Sequence, residues 1–146
     1  MQKVPRRSLH LLATVGLMIS VVATIVDAGE PTLSSPAMTI PVAEDGIQRA
    51  TIALDSYSYT PNHLIVEAGK PVELTLTSVT TITPHNFIIK DPAGRLSVEQ
   101  DVSAGKTVTV TFIPTQPGTF PIYCDKRLWP FPSHRDKGME GTLEVR

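Results

Sequence analysis

The chain has one cysteine, Cys124, in 146 residues. A single thiol excludes an internal disulfide framework. An excess of either charge is missing as well: 13 basic and 14 acidic residues leave a formal net charge of −1. That balance lacks the electrostatic footprint of a nucleic-acid binder. Internal repeats and low-complexity tracts are absent, and no stretch carries convincing helical periodicity.

One long apolar run is present, and it stands at the N-terminus. Lys3, Arg6 and Arg7 precede a largely apolar Leu9–Val26, and Val26-Asp27-Ala28 has the small-residue pattern of a cleavage site. Residues 1–28 therefore read as an export signal cleaved at Ala28-Gly29. The product is a periplasmic or secreted protein with no stable membrane span. The alternative is an uncleaved anchor, since the run approaches the spanning minimum of roughly 17 residues. About 118 residues remain, with ten basic against thirteen acidic side chains, enough for one domain with one core. Pro31, Pro36 and Pro41 mark residues 29–46 as a flexible leader with room for an edge strand near Met38–Val42. The domain proper is read as 47–146.

From Ile47 on, the chain is written in strands. Arg49–Leu54, Pro71–Ser78 and Lys106–Ile113 alternate apolar and polar residues. His63–Glu67, Asn86–Lys90, Gly118–Cys124 and Thr142–Val145 are further short runs, with Gly/Pro turns between them such as Pro117-Gly118. Seven short strands with this spacing predict an all-β antiparallel sandwich.

A lone thiol in an oxidising compartment is a liability unless something occupies it. Cys124 stands in Tyr123-Cys124-Asp125-Lys126, His134 follows after nine intervening residues, and Met139 after four more. Upstream, His85 heads an apolar strand in Pro84-His85-Asn86-Phe87. One thiolate, two imidazoles and one thioether are the donor set of a mononuclear electron-transfer copper site. In a sandwich, the loops at one end cluster. Cys124 would end the next-to-last strand, Met139 would begin the last, and the hairpin between would carry His134. His85 would come from the same end, from a strand in the other sheet or an adjacent position.

With these residues in place the chain resembles the small single-domain cupredoxins of the plastocyanin/azurin type, type 1 blue copper proteins. The resemblance covers about 47–146. It rests on Tyr59-Thr60-Pro61 leading to Val66-Glu67-Ala68-Gly69-Lys70, on Pro84-His85-Asn86-Phe87, on Tyr123-Cys124, and on the finish His134 to Val145. It implies a Greek-key β-sandwich and one copper, cycling between Cu(I) and Cu(II), with His85, Cys124 and His134 as equatorial ligands and Met139 as the weak axial one. It also implies that Asn86 hydrogen-bonds across to the cysteine-bearing loop. The function implied is single-electron transfer between redox partner proteins, by a monomer that is not an enzyme. The same fold also serves copper storage or delivery, and accessory domains of metal uptake. The nine-residue step from Cys124 to His134 is longer than small cupredoxins usually have. Copper nitrite reductase domains carry a hairpin of similar length, but those proteins need a second domain and further histidine ligands, which this chain lacks. Dinuclear copper domains need two cysteines on this loop.

The remaining candidates are weaker. His63 reads as a surface or half-buried strand residue. Gly105-Lys106-Thr107 lacks the earlier glycine of a phosphate loop, since position 100 is Gln100. A Cys124/His134 nucleophile pair would leave Met139 idle. Trp129-Pro130-Phe131-Pro132, the most apolar loop stretch, is either a flap that keeps water from the metal or a docking face for a redox partner. Phe87, Phe112, Phe120 and Trp129 are the expected apolar walls of the site.

Overall fold

The computed structural model describes residues 36–146. The signal segment and the first part of the leader lie outside the described residues. The strands are β1 (Met38–Thr39), β2 (Gln48–Asp55), β3 (Ser58–Thr60), β4 (His63–Val66), β5 (Val72–Ser78), β6 (His85–Lys90), β7 (Ser97–Val102), β8 (Thr107–Phe112), β9 (Gly118–Tyr123) and β10 (Glu140–Val145). A single 3-10 turn, Arg135–Lys137, precedes β10. Among the described residues no helix is long and apolar enough to cross a membrane.

The strands form two sheets, ordered β1-β4-β10-β9-β6-β7 and β3-β2-β5-β8. Alternation decides which face is buried. In β5 every second residue from Val72 to Ser78 is buried, so Val72, Leu74 and Leu76 enter the space between the sheets. Phe87, Ile89, Phe120, Ile122 and Leu143 meet them from the larger sheet. At one end the buried Gln48 accepts from the Glu67 N–H (2.7 Å) and donates to its carbonyl (3.2 Å), tying β2 to the chain just after β4. A buried amide satisfied on both sides closes that end without an orphaned polar group.

The two-sheet sandwich is the one expected, but its pairing is mixed. β1–β4, β4–β10 and β2–β5 run parallel. Residue alternation reports faces, not neighbours, so it gave no sign of these crossovers. The leader also needs correction. From Met38 it is part of the larger sheet, and Ile40 is buried with its N–H bonded to the Ile65 carbonyl (2.9 Å). Burial of one large aliphatic side chain outweighs the prolines around it. The edge strand is where it was expected, near Met38.

Candidate metal centre

The opposite end of the sandwich from Gln48 gathers the start of β6, the end of β9 and the start of β10. β6 and β10 both pair with β9, so His85, Cys124 and Met139 enter from three neighbouring strands of one sheet. The hairpin from Cys124 to β10 carries His134. Its nine-residue length proves to be local. The His134 N–H donates to the Lys126 carbonyl (2.8 Å), which closes a neck and leaves residues 127–133 as an outward loop. Ser133 and Asp136 brace the neck, with the Ser133 N–H and Oγ both on Asp136 Oδ2 (2.9 and 2.7 Å). Gly138 then takes φ +94°, a left-handed turn that glycine adopts without strain, and the chain reverses into Met139.

The donor atoms of His85, Cys124 and His134 all lie within 4.8 Å of one another, and all three residues are buried. Cys124 Sγ is 3.4 Å from His134 Nδ1, and the two imidazole centroids are 5.1 Å apart. Met139 is fully buried beside them. Its N–H donates to the His134 carbonyl (2.9 Å), and its own carbonyl accepts from the Cys124 N–H (3.2 Å).

Two details test whether a metal fits. His85 Nδ1 is buried with no hydrogen-bond partner, a costly state for a polar atom and a suitable one for a metal donor. Its other nitrogen, Nε2, is 3.4 Å from Thr80 Oγ1. The Thr80 hydroxyl donates to the Thr83 carbonyl (2.6 Å), so towards His85 it can only accept. The ring proton therefore sits on Nε2, and the Nδ1 lone pair faces the cluster. A soft thiolate with two imidazoles also suits zinc, but a buried methionine whose backbone is bonded to both His134 and Cys124 favours copper.

Residues 17–143 match the cupredoxin-like domain family. The chain belongs to that family. It is 31% identical over 99 residues to plastocyanin of Ulva prolifera, across 62% of this chain and 89% of that protein. Among solved structures, the fold is similar to reduced auracyanin of Roseiflexus castenholzii (22% identity, 67% of this chain and 96% of that one, TM-score 0.54). It is also similar to the metal-binding domain of the Cu(I)-exporting P-type ATPase CopA of Streptococcus pneumoniae (18% identity, 75% and 95%, TM-score 0.57). At these identities the structural likeness speaks to the fold.

The surroundings of this cupredoxin's cluster are closely tied. The Asn86 N–H points at Cys124 Sγ (3.4 Å), and the Asn86 side chain donates to Asp125 Oδ1 (2.7 Å) while accepting from the Asp125 N–H (3.1 Å). The cross-loop bond expected of Asn86 is thus present. From the smaller sheet, Tyr59 donates its buried hydroxyl to the Asn86 carbonyl (2.6 Å), and its ring meets Phe87 edge-on. Tyr57 lies over His134 at 4.8 Å between centroids, with the Lys137 ammonium 4.2 Å from the tyrosine ring. Burial lowers the His85 pKa to about 4, helped by His134 beside it, and burial followed by Lys137 lowers that of His134. Both rings are therefore neutral donors at neutral pH. Burial pushes the Cys124 thiol up, against the opposing pull of the Asn86 and Lys126 amides.

Two of the four expected apolar walls, Trp129 and Phe112, are not walls of the buried cluster. Trp129 is not a wall: it is 81% exposed, on the loop outside the neck. Phe87 and Phe120 do line the buried core with Cys124 and Met139, while Phe112 is only partly buried against it. His63 lies outside the cluster, 3.4 Å from Glu144 Oε2 on the adjacent β10. Thr80, Tyr57 and Tyr59 were not anticipated. Tyr57 and Tyr59 come from a distant segment and Thr80 from the connection five residues before His85, and none carries a sequence signal that links it to the histidines.

Proposed function

We propose that this cupredoxin is an exported mononuclear copper protein of the type 1 class that carries single electrons between redox partners. His85 through Nδ1, Cys124 through Sγ and His134 through its Nδ1 edge would hold the metal, with Met139 as the weaker fourth donor. The observation that carries this reading is the convergence of three buried donors, one of them an imidazole nitrogen without any other partner. Bound copper would supply a one-electron couple whose oxidised and reduced forms both accept this mixed sulfur and nitrogen set.

The chain's own part is to hold those donors still. β6, β9 and β10 fix three of them through the sheet ladder, and the neck at Lys126 fixes the fourth. The Asn86 amide directed at Cys124 Sγ withdraws electron density from the sulfur and so tunes the potential. Tyr57 and the surrounding core keep water from His134, which is 7% exposed.

The test is the visible spectrum after copper loading. The wild-type protein should take up one equivalent of Cu(II) and become intensely coloured through thiolate-to-metal charge transfer. Cys124→Ser should fold and lose that band. An intense band that survives in Cys124→Ser would refute the assignment.

A further inference from the structure

His85 Nδ1 is not alone among the described residues in being a buried polar atom without a hydrogen-bond partner. Asn62 Oδ1 and His63 Nε2 share that state, and the two residues are adjacent where β4 begins. Orphaned polar atoms are few in folded proteins, and a bound ion is one of the things that explains them.

Both residues line a cleft of about 420 Å³ on the outer face of the larger sheet. The strand register accounts for the cleft. Thr142 of β10 pairs with His63 of β4 on one side and with Pro121 of β9 on the other. The next residue, Leu143, is buried in the core, so Thr142 faces outward. Thr142 and Pro121 are short, and the sheet surface dips over them. Glu140 and Glu144 stand two residues to either side of Thr142 on the same face.

Glu144 Oε2 is 3.4 Å from His63 Nε2. Two donors each about 2.1 Å from one metal ion are roughly 3.4 Å apart when the angle between them is tetrahedral. Arg146 occupies the other oxygen of Glu144 (2.7 Å), and Arg135 occupies one oxygen of Glu140 (2.6 Å). The hydrogen bond from Arg146 holds the Glu144 carboxyl below its usual range, with a smaller pull from His63. A protonated His63 would make an ordinary ion pair with Glu144. Asn62 Oδ1, which can only accept, would still lack a partner.

We propose that His63 Nε2, Glu144 Oε2 and the Asn62 amide oxygen form a second metal site, for a divalent transition ion such as Cu(II) or Zn(II). Two arginines balance the two glutamates, so no excess of negative charge draws in calcium or magnesium. Binding must come from the imidazole, which suits copper and zinc. None of these donors is sulfur, so the site favours Cu(II) over Cu(I), unlike the buried cluster. The cleft has room for water ligands on its open side.

The test starts from the protein holding one equivalent of copper, whose charge-transfer band reports the buried cluster. A second equivalent of Cu(II) should bind without adding to that band. It should give the electron paramagnetic resonance signal of a tetragonal nitrogen–oxygen site. His63→Gln and Glu144→Gln should each weaken this second binding by at least about the tenfold that changes around a metal site cost, and both should keep the first band. In the Cu(I) protein, zinc should shift the amide resonances of Asn62, His63, Thr142 and Glu144.

Failure to bind a second equivalent, or resonance shifts confined to another face, would overturn the proposal. Binding that is lost in His63→Gln but indifferent to Glu144→Gln would also overturn it, because a lone surface imidazole would then suffice. Should His63→Gln not fold, Glu144→Gln, which keeps the size of the side chain, decides by itself. Absence of the charge-transfer band would count against the type 1 reading and not against this site. Zinc shifts on the metal-free chain, and their loss at this face in Glu144→Gln, then still decide the second site.

Discussion

At the scale of single residues, the candidate site separates into donors that can be read from sequence and partners that cannot. His85, Cys124, His134 and Met139 are legible because their side chains are rare in this chain and chemically specific. Asn86 is legible because it adjoins His85. Thr80 is not: one threonine among many, five residues from His85, it acts only through the direction of its hydroxyl proton. That proton goes to the Thr83 carbonyl, Ser78 Oγ lies 2.9 Å from Thr80 Oγ1, and the acceptor side of that hydroxyl is left for His85 Nε2. Thr80→Val keeps the shape and removes the acceptor. Copper affinity, measured by competition with a chelator, should fall by about tenfold. The charge-transfer band should shift as well, because the imidazole is no longer held in one tautomer. Thr80→Ser should restore both, an outcome that a purely structural role for the threonine methyl would not produce.

At the scale of elements, most strands were readable, either by alternation or as short apolar runs between turns, and β3 and β7 were not. β7 (SVEQDV) carries Glu99 and Asp101 outward and only Val98 and Val102 inward, so its short pattern is masked by charge. β3 is three residues long, too short for any period to show. The hairpin between Cys124 and β10 is the most instructive element. Its sequence length exceeds what small cupredoxins usually have, but the bond from His134 to Lys126 makes the loop an appendix to a short ligand turn. Replacing residues 127–132 with Asn-Gly, a short turn that keeps Ser133 and its bonds to Asp136, should therefore preserve the visible spectrum. Thermal unfolding of the metal-free protein should move by only a few degrees, since the replaced segment is exposed at Leu128, Trp129 and Phe131. A lost or strongly altered spectrum would show that the loop itself shapes the donor geometry.

At the scale of the whole molecule, stability and chemistry occupy different places. The core runs the length of the sandwich, with Ile52, Leu74 and Leu76 from one sheet against Phe87, Ile89 and Phe120 from the other. The donors sit at one end, held by backbone bonds among β6, β9 and β10 in the larger sheet. The smaller sheet reaches them at few points, chiefly the Tyr59 hydroxyl on the Asn86 carbonyl. Leu74 lies mid-strand in the smaller sheet, fully buried, with Ala50 and Val110 as its neighbours in register. Leu74→Ala leaves a cavity there and should cost about 2–5 kcal/mol, read as a drop in the denaturation midpoint. The folded fraction should keep the wild-type visible spectrum, because no bond to a donor passes through Leu74. A shifted band in well-folded Leu74→Ala would mean that the donor geometry depends on packing between the sheets and not on the ladder of the larger sheet alone.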